Sequence, residues 1–292
     1  MSAIDRREFI GSAAAAATAL LASRRPVRAI ESPTGAPGFI DTNVTLSRWP
    51  FRRLPLDETP ALLAKLRSNG VTEAWAGSFD ALLHKDMASA NARLAEECRA
   101  SGGLLVPFGA INPMLPDWED DLRRCAEVHG MRGIRLHPNY HGYTLADPPF
   151  ARLLDAAAGR GLLVQIALIM EDERTLHPLV NVPATATAPL PALLKSRPGA
   201  RVHAINAFRT LRGKPLLDLA AAGVRFEIAM LEGVEGVTKL LAQIDLDRVL
   251  FGSGAPFFYF ESAMLKLRES ALDETQIRAI RSGSARKLLA AR

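Results

Sequence analysis

Short blocks rich in Val, Ile and Leu alternate along this chain with stretches in which apolar residues recur every three or four positions. The blocks read as buried strands and the spaced stretches as amphipathic helices. Taken in order, they predict strands near 39–46, 71–78, 104–111, 131–137, 162–169, 200–206, 224–229 and 248–253. Helices are predicted near 58–68, 86–101, 117–129, 148–159, 186–196, 214–222, 234–243 and 258–290. Gly70, Gly102, Gly130, Gly161 and Gly223 each stand after a helical pattern and before a strand, where C-terminal caps belong. Asp57 precedes the first helix, where its carboxylate can accept an unpaired backbone N–H. Repeated strand–helix alternation predicts a parallel sheet covered by helices. Eight repeats in this length favour closure, so the fold class expected is α/β, a single (β/α)8 TIM barrel over residues 38–292.

The N-terminus follows another pattern. Arg6 and Arg7 precede Glu8, Phe9 and Ile10, and an Ala- and Leu-rich run follows from Gly11 to Ser23. That run is shorter and less apolar than the roughly 20 residues of a membrane span. A charged start, a modest apolar middle and a small-residue exit predict a cleavable twin-arginine signal over 1–29, ending near Ala29, with a short linker over 30–37. The partner implied is the twin-arginine export machinery, and the destination is periplasmic or secreted. The segment 1–29 carries five Arg against Asp5 and Glu8, so +3 of the formal +5 leaves with it. The remaining +2 gives no case for nucleic-acid binding. Cys98 and Cys125 make no disulfide framework; they either pair in an oxidising compartment or stay as buried thiols.

Three runs carry a family resemblance: Asp41 to Arg52 (DTNVTLSRWPFR), Gly133 to Tyr143 (GIRLHPNYHGY) and Leu250 to Pro256 (LFGSGAP). By these runs, residues 38–290 resemble the amidohydrolase-related proteins, metal-dependent hydrolases and decarboxylases on distorted barrels. The resemblance implies metal ligands at positions that here hold Asn43, Thr45, Ala167 and Asn206, and a water-activating aspartate where this chain has Gly254. Asn and Thr are poor ligands for zinc-like ions, and Ala and Gly offer none. The expectation is therefore a degenerate metal site: no cofactor at the usual position, and no divalent metal predicted.

The polar chemistry left at the predicted strand ends lies in a few loops. His137 and His141 are candidate acid–base groups, since imidazole titrates near neutrality, and a displaced metal site using them is a further option. The bland reading of His137 is a strand cap bonded to backbone. Glu171 and Asp172 are candidate carboxylates; being adjacent, they would face opposite sides if the strand continued. Arg48, Trp49, Arg52, Asn139, Tyr140, Tyr143, Arg174 and His177 are candidate substrate-binding residues, and Trp49 has the second reading of closing the barrel top. Strand parity places Asn206 inward and His203 outward, and suggests a buried Arg135–Glu227 ion pair. Together these predict a hydrolase acting on a small carboxylate-bearing ester, lactone or amide. The alternatives are a decarboxylase or hydratase variant and a non-catalytic ligand-binding barrel. A small-molecule substrate is the expected partner, and a homo-oligomer is compatible with the chain.

Overall fold

The computed structural model describes residues 38–291, apart from positions 178 and 181 and the side chain at 173. The export signal and linker expected over 1–37 lie outside the described residues. Eight parallel strands are hydrogen-bonded in chain order: β1 (Phe39–Leu46), β2 (Val71–Ser78), β3 (Leu105–Ala110), β4 (Gly133–Leu136), β5 (Leu163–Ala167), β6 (Arg201–Ile205), β7 (Arg225–Glu227) and β8 (Val249–Leu250). Closure comes where β1 meets the chain after β8. Thr42 N–H donates to the Phe251 carbonyl (3.0 Å), Thr45 N–H to the Ala255 carbonyl (2.9 Å) and Gly254 N–H to the Asn43 carbonyl (3.0 Å). The molecule is an α/β protein, a (β/α)8 barrel.

Around it lie α1 (Thr59–Ser68), α2 (Met87–Ala100), α3 (Trp118–Arg123), α4 (Pro138–His141), α5 (Pro148–Gly159), α6 (Leu190–Lys195), α7 (Gly213–Ala221) and α8 (Gly236–Leu241). The predicted final helix over 258–290 is instead α9 (Phe260–Glu269), α10 (Glu274–Arg278) and α11 (Ser284–Ala290). Asp273 breaks it, because its side chain accepts from Gln276 N–H while Gln276 reaches back to the Asp273 N–H, which starts a new helix. Asp57 does not cap α1. Its carboxylate accepts from Arg53 (2.6 and 2.8 Å) and from Leu54 N–H (3.2 Å), bracing the preceding turn instead. The amphipathic spacing works as expected in α5, where Phe150, Leu153, Leu154 and Ala157 form the buried stripe. Each large side chain so buried contributes about 1.5–3 kcal/mol. Among the described residues no helix is long and apolar enough to cross a membrane.

Inside the barrel the layers differ in polarity. Ile40, Trp75, Phe108, Leu163 and Leu250 form an apolar cluster, joined by Leu288 and Leu289 of α11. The Trp75 and Phe108 rings stack at 5.2 Å between centroids. Beyond that cluster comes a polar layer. Arg135 on β4, Gln165 on β5 and His203 on β6 are register partners, and all three are buried. Arg135 donates to Gln165 Oε1 (2.8 Å), the Val44 carbonyl (2.8 Å), Thr45 Oγ1 (3.1 Å) and the Trp75 carbonyl (3.0 Å). Gln165 Nε2 bonds the Thr42 carbonyl (2.7 Å) and lies 3.1 Å from His203 Nδ1. Two expectations from parity are corrected here. His203 faces the barrel interior, and Arg135 bonds neutral oxygens rather than Glu227. Asn206 takes a left-handed φ of 57°, so strict alternation fails at the end of β6. Cys98 and Cys125 are buried free thiols, and burial pushes both up to about 12.

Candidate functional site

Barrel enzymes build their sites at the C-terminal ends of the strands, and here those ends carry a dense hydrogen-bonded network. Asn43 Nδ2 donates to Asn206 Oδ1 (2.7 Å) and Glu227 Oε1 (3.2 Å). Glu227, wholly buried, also accepts from Asn206 N–H (2.6 Å) and from Ala229 N–H. Asn206 Nδ2 reaches the Ile169 carbonyl (2.8 Å). Asp41 Oδ1 accepts from Asn43 N–H (3.2 Å) and Ser253 N–H (2.9 Å), while its Oδ2 is buried without a partner. Burial first, and the nearby Glu227 charge last, raise Asp41 to about 7 against the hydrogen bonds from Ser253 and Asn43. Burial likewise raises Glu227. Asp41 is not among the sequence candidates, and Glu227 enters there as the expected ion-pair partner of Arg135, with a base role as the alternative. The available signal was an acid in the same strand run as Asn43, and an acid at the end of a three-residue strand.

The five positions expected to be degenerate sit within or beside this network. Thr45 is engaged by Arg135, Asn43 and Asn206 by each other, and Ala167 packs with Trp49, Met170 and Ile205. Gly254 has a φ of +69°, and a Cβ there would stand 2.7 Å from Phe258 Cδ2. Replacing Gly254 with aspartate is expected to lower stability by roughly 1–3 kcal/mol through backbone strain and contact with Phe258. The measurement is the urea midpoint of the variant; a midpoint equal to that of the wild type would contradict the steric account.

Among the candidate acid–base groups, His137 is buried with Nδ1 unpartnered, and its ring centroid lies 6.0 Å from that of His141. His141 Nε2 lies 2.9 Å from the Ala81 carbonyl. Burial, the neighbouring His141 and Arg135 hold His137 well below the ordinary imidazole value, and burial lowers His141 too. Both shifts favour the neutral imidazole, the form that offers a lone pair. Above them the barrel mouth is closed. Trp49, 2 % exposed, meets Phe79, Tyr140 and Phe257 edge-on at 5.2, 6.3 and 4.9 Å. Arg52 lies over the Phe257 ring at 5.9 Å and donates to Glu171 Oε2 (2.6 Å).

Glu171 and Asp172 part company as adjacent residues do. Glu171 is buried and accepts from Arg52 and Thr175 Oγ1 (3.0 Å); burial, the largest influence, raises its carboxyl despite both partners. Asp172 binds Arg174 and lies 3.7 Å from Arg209; the Arg174 hydrogen bonds bring it down to about 2. The remaining candidates scatter. Arg48 pairs with Glu58 at the surface, and His177 is exposed with Nδ1 accepting from Leu179 N–H (3.2 Å). Asn139 donates to the Pro183 carbonyl (3.1 Å). Tyr143 lies in the main core, its ring 6.3 Å from that of Phe150.

Two of the cavities at this end are bordered by candidate residues. A smaller one of about 280 Å³ is bordered by Asn139, Tyr140, Glu171 and Arg209. A larger one of about 840 Å³ lies between the β7–α8 loop and α9, bordered by Asp172, Arg174, Arg209, Met230, Phe258 and Lys266. Lys266 Nζ donates to the Ile228 carbonyl (3.1 Å) and to that of Ala229, and burial lowers its ammonium from the usual lysine value.

Comparison with known proteins places this geometry. The Amidohydrolase family profile matches residues 47–290. No curated protein sequence matches the chain. Among solved structures, 5-carboxyvanillate decarboxylase from Novosphingobium aromaticivorans aligns with a TM-score of 0.70 at 14 % identity, over 88 % of this chain and 98 % of its own. It was crystallised with manganese and 3-methoxy-4-hydroxy-5-nitrobenzoic acid. The 2,6-dihydroxybenzoate decarboxylase from Rhizobium gives 0.65 at 14 % identity, over 87 % and 98 %. A dihydroxybenzoic acid decarboxylase from Polaromonas, with manganese and 2-nitroresorcinol, gives 0.65 at 13 % identity, over 87 % and 97 %.

Two expectations are corrected by these barrels. Their named activity is decarboxylation of aromatic acids, not hydrolysis of an ester, lactone or amide. Two of them hold manganese, against the expectation of a scaffold with no divalent ion. The donors at the usual positions of this chain nonetheless do not fit such an ion. Asn43, Asn206 and Glu227 are bound to one another, and among the described residues no three His, Cys, Asp or Glu gather around a common point.

Proposed function

Because the chain belongs to the amidohydrolase family and its barrel is built like those of aromatic-acid decarboxylases, we propose that it decarboxylates a small aromatic carboxylate. The observation that carries this reading is the 840 Å³ cavity, where Arg174 and Arg209 face an apolar wall of Met230, Phe258 and Leu265, with Lys266 alongside. A hydroxylated benzoate matches that division, its ring against the wall and its anionic end toward the arginines. The arginines are already shared with Asp172 and Glu232. Partial neutralisation suits the reaction, since a carboxylate held too firmly is stabilised in the ground state.

Loss of carbon dioxide breaks the bond between ring carbon and carboxyl carbon and leaves the electron pair on the ring, which must then take a proton. Lys266 is the donor in this reading. Lys266 borders the cavity, and burial makes its ammonium a stronger acid than a solvated lysine. The proton passes from Nζ to the ring carbon, carbon dioxide leaves, and water restores the ammonium. With a panel of hydroxylated benzoates, carbon dioxide release and proton incorporation at the ring should be seen in the wild type. Lys266→Met should lose about 10²-fold or more of the rate with binding retained, the scale of a general acid. Turnover unchanged in Lys266→Met would remove Lys266 from the reaction, and absence of both binding and release would end the proposal.

The closed mouth over His137 and the substitutions at Asn43, Thr45, Ala167, Asn206 and Gly254 favour a second reading, a non-catalytic barrel that binds such an acid. Calorimetric binding without carbon dioxide release in the same panel selects it.

A further inference from the structure

We infer that the acid taken by this chain carries a second apolar group, an alkyl chain or another aryl ring, and that Val234, Tyr259 and Leu265 receive it. For the carboxylate this rests on the decarboxylase reading above; for the apolar group it rests on the cavity alone. The space is too large for one ring. An enclosed apolar hole of about 150 Å³ is enough to hold benzene, whereas the cavity beside α9 measures about 840 Å³. A single hydroxylated ring with its carboxylate would leave most of that volume to water. Sites of this size ordinarily enclose a ligand of drug-like bulk.

The lining gives the chemistry of what fills it. Among the described residues nine large apolar side chains stand exposed, and three of them, Val234 (73 %), Tyr259 (66 %) and Leu265 (56 %), border this one cavity. Single exposed apolar residues are ordinary, but several gathered at one cavity mark a binding surface. Each has a local reason for its place. The helix α9 lends Ser262, Leu265, Lys266 and Glu269 to the wall, at the spacing of three and four that defines one helix face, while Phe260, Ala263 and Leu267 take the buried side. Tyr259 stands immediately before that helix. Val234 sits between two left-handed residues, Gly233 (φ 98°) and Glu235 (φ 54°). Such a φ suits glycine and is unfavourable for glutamate, so the turn that leaves Val234 in solvent is a strained one, and strain of this kind gathers at ligand sites. The acids on the wall are largely paired, Asp172 with Arg174, Glu232 with Arg209 and Glu261 with Lys65. The apolar surface is what remains for a ligand to cover.

Purified protein is titrated by calorimetry with a dihydroxybenzoate, then with the same acid carrying a hexyl or phenyl substituent. The substituted acids should bind about tenfold tighter or better, as burial of several carbons against an apolar wall requires. Val234→Ser and Tyr259→Ser should each cut that gain by about threefold or more. Leu83→Ser, at an exposed apolar residue that does not border the cavity, should keep it. Equal affinity for plain and substituted acids, or a gain undiminished in both Val234→Ser and Tyr259→Ser, overturns the inference. So does self-association of the wild type that Tyr259→Ser abolishes, which would give the apolar rim to a second copy of the chain. Carbon dioxide release separates this result from the earlier one. A gain in affinity without release ends the decarboxylase reading and keeps the apolar subsite, and release from the plain acid with no gain does the reverse.

Discussion

Arg135→Ala is expected to lower the stability of the barrel by about 3–5 kcal/mol, the range for removing one partner of a buried charged network. The guanidinium ties four strands together, because its acceptors belong to β1, β2 and β5 while it rises from β4 itself. Truncation would leave the Val44 and Trp75 carbonyls and Gln165 Oε1 without their donor in a place water does not reach. It would also remove a buried positive charge that Glu227 and Asp41 favour through space. The arginine is tightly packed, since a Cβ on Gly77 would stand 2.7 Å from its Cδ. Urea unfolding followed by circular dichroism measures the loss. A midpoint within error of the wild type would show that the polar layer adds nothing net to stability.

Asp41→Asn should change how stability depends on pH. The Asp41 carboxyl sits at about 7 in the folded chain against 3.8 as the reference, with burial as the first cause. Between those values the folded state keeps a proton that the unfolded state has released, so the contribution of Asp41 falls as pH rises. It is complete below about pH 4 and gone above about pH 7, a change of about 4 kcal/mol at about 1.4 kcal/mol per unit. Asparagine retains an Oδ1 for the Asn43 and Ser253 N–H groups and carries no charge at either end of the range. His137, His141 and His203 work in the opposite sense, since their lowered values make acid unfavourable to the fold. For that reason the quantity to measure is the difference between wild type and Asp41→Asn. The wild type should lose ground steadily to the variant from about pH 4 to about pH 8. A difference that stays level over that span would mean the carboxyl is ionised throughout.

How much of this was legible in the chain depends on the distance over which each residue acts. Strand and helix order could be read because apolar periodicity is local, and the eight blocks fall on the eight observed strands. Boundaries failed where a side chain overrode the period, as Asp273 does by capping α10 inside an otherwise continuous helical pattern. The interior failed differently. Parity points His203 outward when Asn206 points inward, yet a left-handed residue at the end of β6 breaks the alternation. Arg135 and Glu227 were joined as opposite charges, but each found fixed neutral partners closer at hand. Trp49, Arg52, Tyr140 and Glu171 do meet at the barrel mouth, whereas Tyr143 and His177, similar in residue type and loop position, do not. Loop side chains carry no period, so only the folded coordinates separate these cases. Lys266 and Phe258, which border the larger cavity, lie in a stretch that read as plain amphipathic helix and offered no motif.

The aromatic closure at Trp49 has an optical consequence. An indole sealed among Phe79, Tyr140 and Phe257 emits toward the blue, and any opening of that end wets it and moves its fluorescence to the red. Trp75 and Trp118 stay inside the body of the protein and serve as a constant background. The chain thus carries its own lamp at the gate, and a small molecule that parts those rings would announce itself without a label.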